Sequence, residues 1–226
     1  MNTCLAPCPI VFDLDGTLID SAPDIQSAAN FVLADHDIAS LTLDQIRSFI
    51  GGGVDILWEK IIAATGMDPA DHGKLVAAFM QLYHTATSLT GLFPGVREAL
   101  ETLAERGHPL GICTNKPLGP TMAIVEHLGI APLFSFVIGG DSLPEKKPDP
   151  APLRAAFAGL GADPKNPKGI YVGDSEYDAI CASRVPVPFL IFTLGYRQTP
   201  VEELPHASSF DHFDRLPALV EALEFA

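Results

Sequence analysis

Short apolar runs alternate with helical patterns along most of the chain. Five runs of three or four residues are dominated by apolar side chains, and each is followed by polar or glycine-containing sequence. Runs of this kind are typical of strands that are buried on both faces of a parallel sheet. They predict strands at 9–12, 110–113, 136–138, 170–172 and 189–192. The intervening segments predict helices at 96–105, 121–128, 152–160 and 178–183. This alternation indicates an α/β fold, in which helices cover a parallel sheet.

The stretch between the first two predicted strands has a different pattern. Residues 21–89 show helical periodicity and contain no convincing strand. Thr42 followed by Gln45 has the form of a capping box that opens a helix, and 54–65 predicts another helix. Apolar residues with helical spacing at 75–86 predict a further one. We therefore predict a helical cap domain at 21–89, inserted after the first strand of a core domain that is formed by 1–20 and 90–226.

Charged and hydroxyl side chains follow the predicted strands directly. In a parallel sheet the carboxyl ends of the strands meet at one edge, and binding sites collect there. We expect the following residues at that edge: Asp13 and Asp15 after the first strand, Thr114, Asn115 and Lys116 after the second, Lys146 and Lys147 beyond the third, and Asp174 and Asp178 after the fourth.

The acidic residues at this edge predict a divalent metal ion. Asp13 and Asp15 are two residues apart on an extended segment, so their side chains point the same way, and either a bound divalent cation or a shared proton would relieve the repulsion between two such carboxylates. The formal net charge is -14, from 28 acidic and 14 basic residues, so an anionic substrate needs local positive charge. Magnesium prefers carboxylate oxygens, phosphate and water. We predict Mg²⁺ as the cofactor, with Asp13, Asp15, Asp174 and Asp178 as ligands, Asp15 through its backbone carbonyl.

The same residues predict transfer of a phosphoryl group to a carboxylate. Asp13 is the candidate nucleophile, and Asp15 is the candidate acid that protonates the leaving oxygen and later activates water. Thr114 donates its hydroxyl to the non-bridging phosphate oxygens. Lys147 balances the charge of the nucleophile and the phosphate, a neutralisation on which phosphoryl transfer depends strongly.

Four segments carry a family resemblance. Residues 12–21 (Phe-Asp-Leu-Asp-Gly-Thr-Leu-Ile-Asp-Ser) resemble the first motif of the haloacid dehalogenase superfamily, and 113–116, 147–150 and 172–178 resemble the second, third and fourth motifs in the same order. Within that superfamily, 139–150 and 194–197 are similar to the phosphoglycolate phosphatases. The resemblance implies a Rossmann-like core, a helical cap, Mg²⁺, and hydrolysis of 2-phosphoglycolate to glycolate and phosphate.

The predicted cap offers two further candidates for substrate binding. The Gly51-Gly52-Gly53 run is either a flexible connection between helices or a loop that closes over the substrate with free backbone amides, and Gly52 is the candidate residue. Arg47 is either a solvated helix residue or the partner of a substrate carboxylate. At the core side, Asn115 joins Thr114 and Lys147 as a candidate for substrate binding.

Other functions share parts of this pattern. A phosphomutase, or a phosphatase for a hexose phosphate or pyrophosphate, would use the same nucleophile, metal ion and cap. A dehalogenase has no use for an acid two residues after the nucleophile, so Asp15 disfavours it. A non-catalytic binding protein is disfavoured because Asp13, Asp15, Lys147 and Asp174 are all present.

Charge and composition restrict the partners and the location. The acidic balance disfavours nucleic acid and membrane surfaces, which leaves a small phosphorylated metabolite, with the protein as a monomer or a homodimer. The four cysteines lack zinc-site spacing. Cys4 and Cys8 are close enough to pair, but a reduced protein is the favoured interpretation. We also see no signal peptide, and we predict a cytoplasmic protein.

Overall fold

A six-stranded parallel sheet forms the centre of the protein, for which a computed structural model describes residues 7–223. The strands are β1 (Ile10–Phe12), β2 (Ile19–Asp20), β3 (Gly91–Leu92), β4 (Leu110–Cys113), β5 (Phe136–Ile138), β6 (Ile170–Gly173), β7 (Phe189–Phe192) and β8 (Ser208–Phe210). In the sheet they lie in the order β5-β4-β1-β6-β7-β8, and every pairing is parallel. The predicted α/β class is therefore confirmed, and β8 is an edge strand that the sequence pattern did not predict.

The register of the sheet brings the polar strand ends together. All three residues of β1 are fully buried, as expected for the central strand of a parallel sheet. Phe12 is level with Ile112 of β4 on one side and with Val172 of β6 on the other. The residues that follow these strands consequently emerge at one edge, which is where the sequence predicted the site.

Five helices complete the core. They are α5 (Val96–Glu105), α6 (Leu118–His127), α7 (Ala151–Gly159), α8 (Glu176–Ser183) and α9 (Leu216–Ala222). They contribute to two separate apolar clusters: α5, α6 and α9 to one, and α7 and α8 to the other. The sheet is thus covered by helices on both faces, as a parallel sheet requires.

The remaining four helices pack around a cluster of their own. They are α1 (Ala22–Ala34), α2 (Leu43–Phe49), α3 (Val54–Thr65) and α4 (His72–Tyr83). Trp58 and Phe79 are fully buried in this cluster, with an edge-to-face contact at 5.8 Å between ring centroids. The capping box at the start of α2 is present as predicted: Gln45 N donates to Thr42 Oγ1, and Thr42 N donates to Gln45 Oε1.

The chain leaves and re-enters the core through two paired strands. β2 and β3 form a short antiparallel ladder in which Ile19 is opposite Leu92. Next to it, the buried carboxylate of Asp24 accepts hydrogen bonds from Leu89 N at 3.1 Å and from Thr90 Oγ1 at 2.6 Å. The two ends of the helical segment are therefore fastened to each other where the chain leaves and re-enters the core.

Cys4 lies outside the described residues, so its pairing with Cys8 is not tested. Within 7–223, no helix combines the length and the apolar character that crossing a membrane would require.

Candidate active site

A buried lysine between two carboxylates forms the centre of the site. Asp13 directly follows β1, Asp178 lies in the first turn of α8, and Lys147 lies in the loop before α7. Lys147 Nζ is 2.8 Å from Asp13 Oδ1 and 2.7 Å from Asp178 Oδ1. It also donates to the Tyr171 hydroxyl at 3.0 Å. Since a buried ammonium is costly unless it is paired, the two carboxylates are what hold this charge inside the protein.

The electrostatics of the two acids differ because their partners differ. Burial, together with the nearby negative charge of Asp178, raises the pKa of Asp13 to about 7. Burial alone would also raise the pKa of Asp178, but the charge of Lys147 and hydrogen bonds from Tyr171 and Ser175 hold it below its usual range. The two carboxylates in turn raise the pKa of Lys147 despite its burial. Asp178 is thus the fixed negative partner, and Asp13 is the carboxylate whose charge needs a further cation.

Three carboxylates are grouped as a metal ion would require. Oxygen atoms of Asp13, Asp174 and Asp178 lie within 4.8 Å of one another, and all three residues are buried. Burial and the charges of Asp178 and Asp13 raise the pKa of Asp174 well above its usual value. Among the described residues, Asp13 Oδ1 has no aligned hydrogen-bond donor, although Lys147 is nearby. An under-compensated set of buried carboxylate oxygens fits a hard divalent cation.

The surrounding loops fix the orientation of Asp174. Its Oδ1 accepts a hydrogen bond from Thr17 Oγ1 at 2.7 Å, and its Oδ2 accepts one from Tyr196 N at 2.7 Å. Gly16 has a φ of +83°, and a Cβ atom there would lie 2.6 Å from Asp174 Oδ2. Only glycine fits at this position, because both the backbone conformation and the close approach exclude a side chain.

Asp15 lies apart from the acidic group that could hold a metal ion. Its Oδ1 accepts a hydrogen bond from Ser21 Oγ at 2.5 Å, and Lys116 Nζ lies 3.2 Å from the same atom. Its carboxylate is therefore held by a hydroxyl and an ammonium, and it is not one of the three grouped carboxylates.

The second motif supplies one hydroxyl that faces the cavity and one amide that is used within the protein. Thr114 is buried and lines the cavity, where its Oγ1 accepts a hydrogen bond from Lys116 N at 3.2 Å. Asn115 uses its amide within the protein: it exchanges hydrogen bonds with the backbone N–H and C=O of Lys147, both at 2.9 Å, and donates to Gly51 O at 2.9 Å. Asn115 therefore joins the Lys147 loop to the glycine run.

The two candidates in the helical segment have different surroundings. Arg47 forms an ion pair with Asp20 at 2.9 Å, at the junction with the core, and the cavity is lined by other residues. Gly52 packs against Ile56, whereas its neighbours Gly51 and Gly53 line the cavity. Gly53 has a φ of +87°, and a Cβ atom there would be 3.0 Å from the Asn115 carbonyl oxygen. The glycine run thus permits a close approach to the second motif.

An open cavity lies between the sheet edge and the helical segment. Its polar lining from the core comes from Asp13, Asp15, Thr114, Asn115 and Lys116. Its lining from the helical segment combines glycine backbone with apolar side chains and one phenol. These residues are Ile25, Ile50, Gly51, Gly53, Val54, Leu57 and Tyr83.

Sequence reasoning assigned no role to several residues that the structure places here. Tyr171 donates to Asp178 Oδ1 at 2.6 Å, and Tyr196 donates to Asp20 Oδ1 at 2.6 Å. Lys116 contacts the hydroxyl of Tyr83. A tyrosine inside a buried strand needs a polar partner for its hydroxyl, and this is the signal by which Tyr171 could have been found.

The chain belongs to the haloacid dehalogenase-like hydrolase family. The family model matches residues 10–192, a range that includes all four segments in which the sequence resembles that superfamily. This membership confirms the predicted class of enzyme.

Individual relatives narrow the comparison to one branch. The chain is 46% identical over 217 residues to the phosphoglycolate phosphatase of Cereibacter sphaeroides, with 95% of this chain and 98% of that protein covered. It is 44% identical over 219 residues to the phosphoglycolate phosphatase of Rhodobacter capsulatus, with 96% and 98% covered. A crystal structure described as a predicted phosphoglycolate phosphatase from Haemophilus somnus superposes with a TM-score of 0.88 at 30% identity, covering 96% of this chain and 99% of that one.

Proposed function

We propose that this protein is a Mg²⁺-dependent phosphatase that hydrolyses 2-phosphoglycolate through a phospho-aspartate at Asp13. The observation that carries the chemistry is the buried Asp13 carboxylate beside Lys147, in one cavity with Asp15 and Thr114. Support for the substrate comes from the relatives of that name.

The nucleophilic step uses residues at the ends of β1 and β4. Asp13 attacks phosphorus, the bond from phosphorus to the ester oxygen breaks, and the phosphoryl group is transferred to the Asp13 carboxylate. Thr114 donates its hydroxyl to a non-bridging oxygen, and Lys147 offsets negative charge on Asp13 and on the phosphoryl group. Asp13, Asp174 and Asp178 would hold Mg²⁺, which supplies positive charge opposite the phosphate.

Asp15 acts as the general acid in the first half of the reaction and as the general base in the second half. In its protonated form it donates a proton to the leaving ester oxygen, and the resulting carboxylate then takes a proton from the water that attacks the phospho-aspartate. Ser21 Oγ and Lys116 Nζ, both close to Asp15 Oδ1, fix the carboxylate for this role.

Residues 21–89 act in this proposal as a cap domain on a core formed by 1–20 and 90–226. The support is the separate apolar cluster of α1–α4 and the contribution of Tyr83 and the glycine run to the cavity. The cap excludes water from the site while the phosphoryl group is transferred. A small phosphorylated metabolite as the partner, and a location in the cytoplasm, belong to the same proposal.

Release of phosphate from a panel of esters tests the function. We expect the highest kcat/KM for 2-phosphoglycolate when it is compared with hexose phosphates, pyrophosphate and nucleotides. A chelator should remove the activity and added Mg²⁺ should restore it. A higher kcat/KM for a hexose phosphate, or isomerisation of that ester without release of phosphate, would contradict the proposal and favour a phosphomutase.

Replacing Asp15 should separate the two half-reactions. In Asp15→Asn the amide neither protonates the leaving oxygen nor activates water, so we expect the steady-state rate to fall about a hundredfold or more. With an ester of an acidic phenol, whose leaving oxygen needs no proton, the phospho-enzyme should accumulate and be visible by intact mass after acid quenching. A normal steady-state rate would refute the role of Asp15.

A further inference from the structure

Lys116 is a buried cation that has one partner in the core and one in the helical segment. Its side chain is 4% exposed, and its ammonium lies 3.2 Å from Asp15 Oδ1 in the core. It also donates to the hydroxyl of Tyr83 at the end of α4, and it lies over the ring of that tyrosine at 4.2 Å from the centroid. Among the described residues that line the cavity, Lys116 alone carries a cationic side chain.

Lys116 has a hydrogen-bond donor left for a substrate. Its ammonium carries three N–H groups, and within residues 7–223 the partners found for them are Asp15 Oδ1 and the Tyr83 hydroxyl oxygen. A third N–H group is therefore available to an anionic group of an ester in the cavity that Lys116 lines.

The hydroxyl group of Tyr83 can donate a hydrogen bond to an anion bound at Lys116. Burial and the negative charge of Asp15 raise the pKa of its hydroxyl well above the usual value, so the phenol stays neutral. Its oxygen accepts from Lys116, and within residues 7–223 no acceptor is found for its own hydrogen. The ring is fixed by Phe79, whose centroid is 4.7 Å away. Tyr83 therefore offers the cavity a rigid neutral donor beside the ammonium.

The position of Lys116 restricts the anion to one close to the reacting bond. Asp15 contacts the leaving ester oxygen in the proposed mechanism, and Lys116 is adjacent to Asp15. In 2-phosphoglycolate the carboxyl carbon is only two bonds from that oxygen, so the carboxylate reaches the same neighbourhood. Arg47, which the sequence offered as one candidate partner for a substrate carboxylate, is instead engaged with Asp20.

We propose that Lys116 and Tyr83 form the subsite that binds the carboxylate of the substrate and so determine specificity for a phosphorylated 2-hydroxy acid. The inference rests on the proposed function and adds the residues that recognise the acid. Because Lys116 belongs to the core and Tyr83 to the helical segment, a bound carboxylate also joins the two across the cavity.

A pair of matched esters tests this subsite. The acid is 2-phosphoglycolate, and its neutral counterpart is 2-phosphoglycolamide, which has the same shape without the charge. We expect Lys116→Met to reduce the ratio of kcat/KM for the acid to that for the amide by about ten- to a hundredfold, the range for a lost hydrogen bond to a charged group. Any effect of the substitution on Asp15 acts on both esters and cancels in the ratio.

Three further variants make the result specific. Lys116→Arg retains the charge and should keep most of the ratio, whereas Tyr83→Phe should lower it by about threefold or more. Lys74→Met is the matched control, since it removes an exposed lysine of α4 that is not part of the cavity lining, and its ratio should equal that of the wild type. If Lys116→Met does not fold, the result for Tyr83→Phe decides alone.

The outcomes separate this inference from the proposed function. An unchanged ratio in Lys116→Met and Tyr83→Phe would overturn the subsite while a wild-type preference for 2-phosphoglycolate leaves the function intact. If the wild type prefers a different carboxylate ester, such as 2-phospholactate, and Lys116→Met abolishes its discrimination against the corresponding amide, the subsite stands and the named substrate is wrong. A preference for esters without a carboxylate would overturn both.

Discussion

Asp13→Asn should abolish turnover. The amide is a very poor nucleophile towards phosphorus, so no phospho-enzyme forms, and we expect kcat to fall by at least about a thousandfold, equivalent to about 4 kcal/mol in the barrier. The substitution also removes one negative charge from a buried group of three carboxylates, so the protein should remain folded. Phosphate release from 2-phosphoglycolate measures the rate, and intact mass after acid quenching measures the phospho-enzyme.

Two controls make the Asp13 result decisive. Asp35→Asn is the same chemical change on an exposed residue outside the site, and it should leave kcat unchanged. Asp13→Ala excludes slow conversion of the asparagine back to aspartate as a source of activity. If Asp13→Ala retains more than a few per cent of the wild-type rate, or if a phospho-enzyme still forms in that variant, the nucleophile is a different group.

Most of the sheet could be predicted from sequence because β1, β4, β6 and β7 are buried along their whole length. Such strands are short uninterrupted apolar runs, and the predicted bounds of β4, β5 and β7 agree with the structure residue for residue. β8 was missed because it is an edge strand of sequence Ser-Ser-Phe, in which a single buried apolar residue gives no pattern.

Prolines explain why the starts of several helices were predicted too late. The pattern placed helix starts after Pro120 and at Pro152, yet α6 begins at Leu118 and α7 at Ala151. Proline lacks a backbone N–H, but the first turn of a helix has no partner for that group, so proline is accommodated there. When a sequence pattern places the first residue of a helix at a proline or directly after it, the helix should therefore be expected to begin a few residues earlier in the chain.

The residues that meet at the strand ends could be predicted from sequence, whereas their partners across the cavity could not. Asp13, Thr114 and Asp174 follow neighbouring strands, and parallel topology is enough to bring them to one edge. The contact between Lys116 and Tyr83 depends on how the helical segment packs on the core, and no local pattern encodes that arrangement. The pairing of Arg47 with Asp20 could not be predicted from sequence either, because it too depends on the tertiary structure.

Lys147→Met should cost both activity and stability. The methionine fills similar space, but it leaves Asp13 and Asp178 buried beside each other without their shared cation. Removing one partner of a buried ion pair typically costs about 3–5 kcal/mol, and we expect that decrease in the free energy of unfolding measured in the presence of chelator. Activity should fall about a thousandfold, since the charge of the nucleophile and of the phosphate is no longer offset. Lys168→Met, at an exposed position, should change neither quantity.

Mg²⁺ and a second substitution show whether the cost is electrostatic. If the buried carboxylates are the cause, added Mg²⁺ should stabilise Lys147→Met more than the wild type, because the ion then takes over the neutralisation that Lys147 provided. The double variant Asp178→Asn/Lys147→Met removes one charge of each sign, so its loss of stability should be clearly smaller than the sum of the two single losses. Additive losses and an equal response to Mg²⁺ would instead mean that Lys147 stabilises the protein through packing. The proposed role of Lys147 in offsetting the negative charge of Asp13 and of the phosphoryl group would then be wrong.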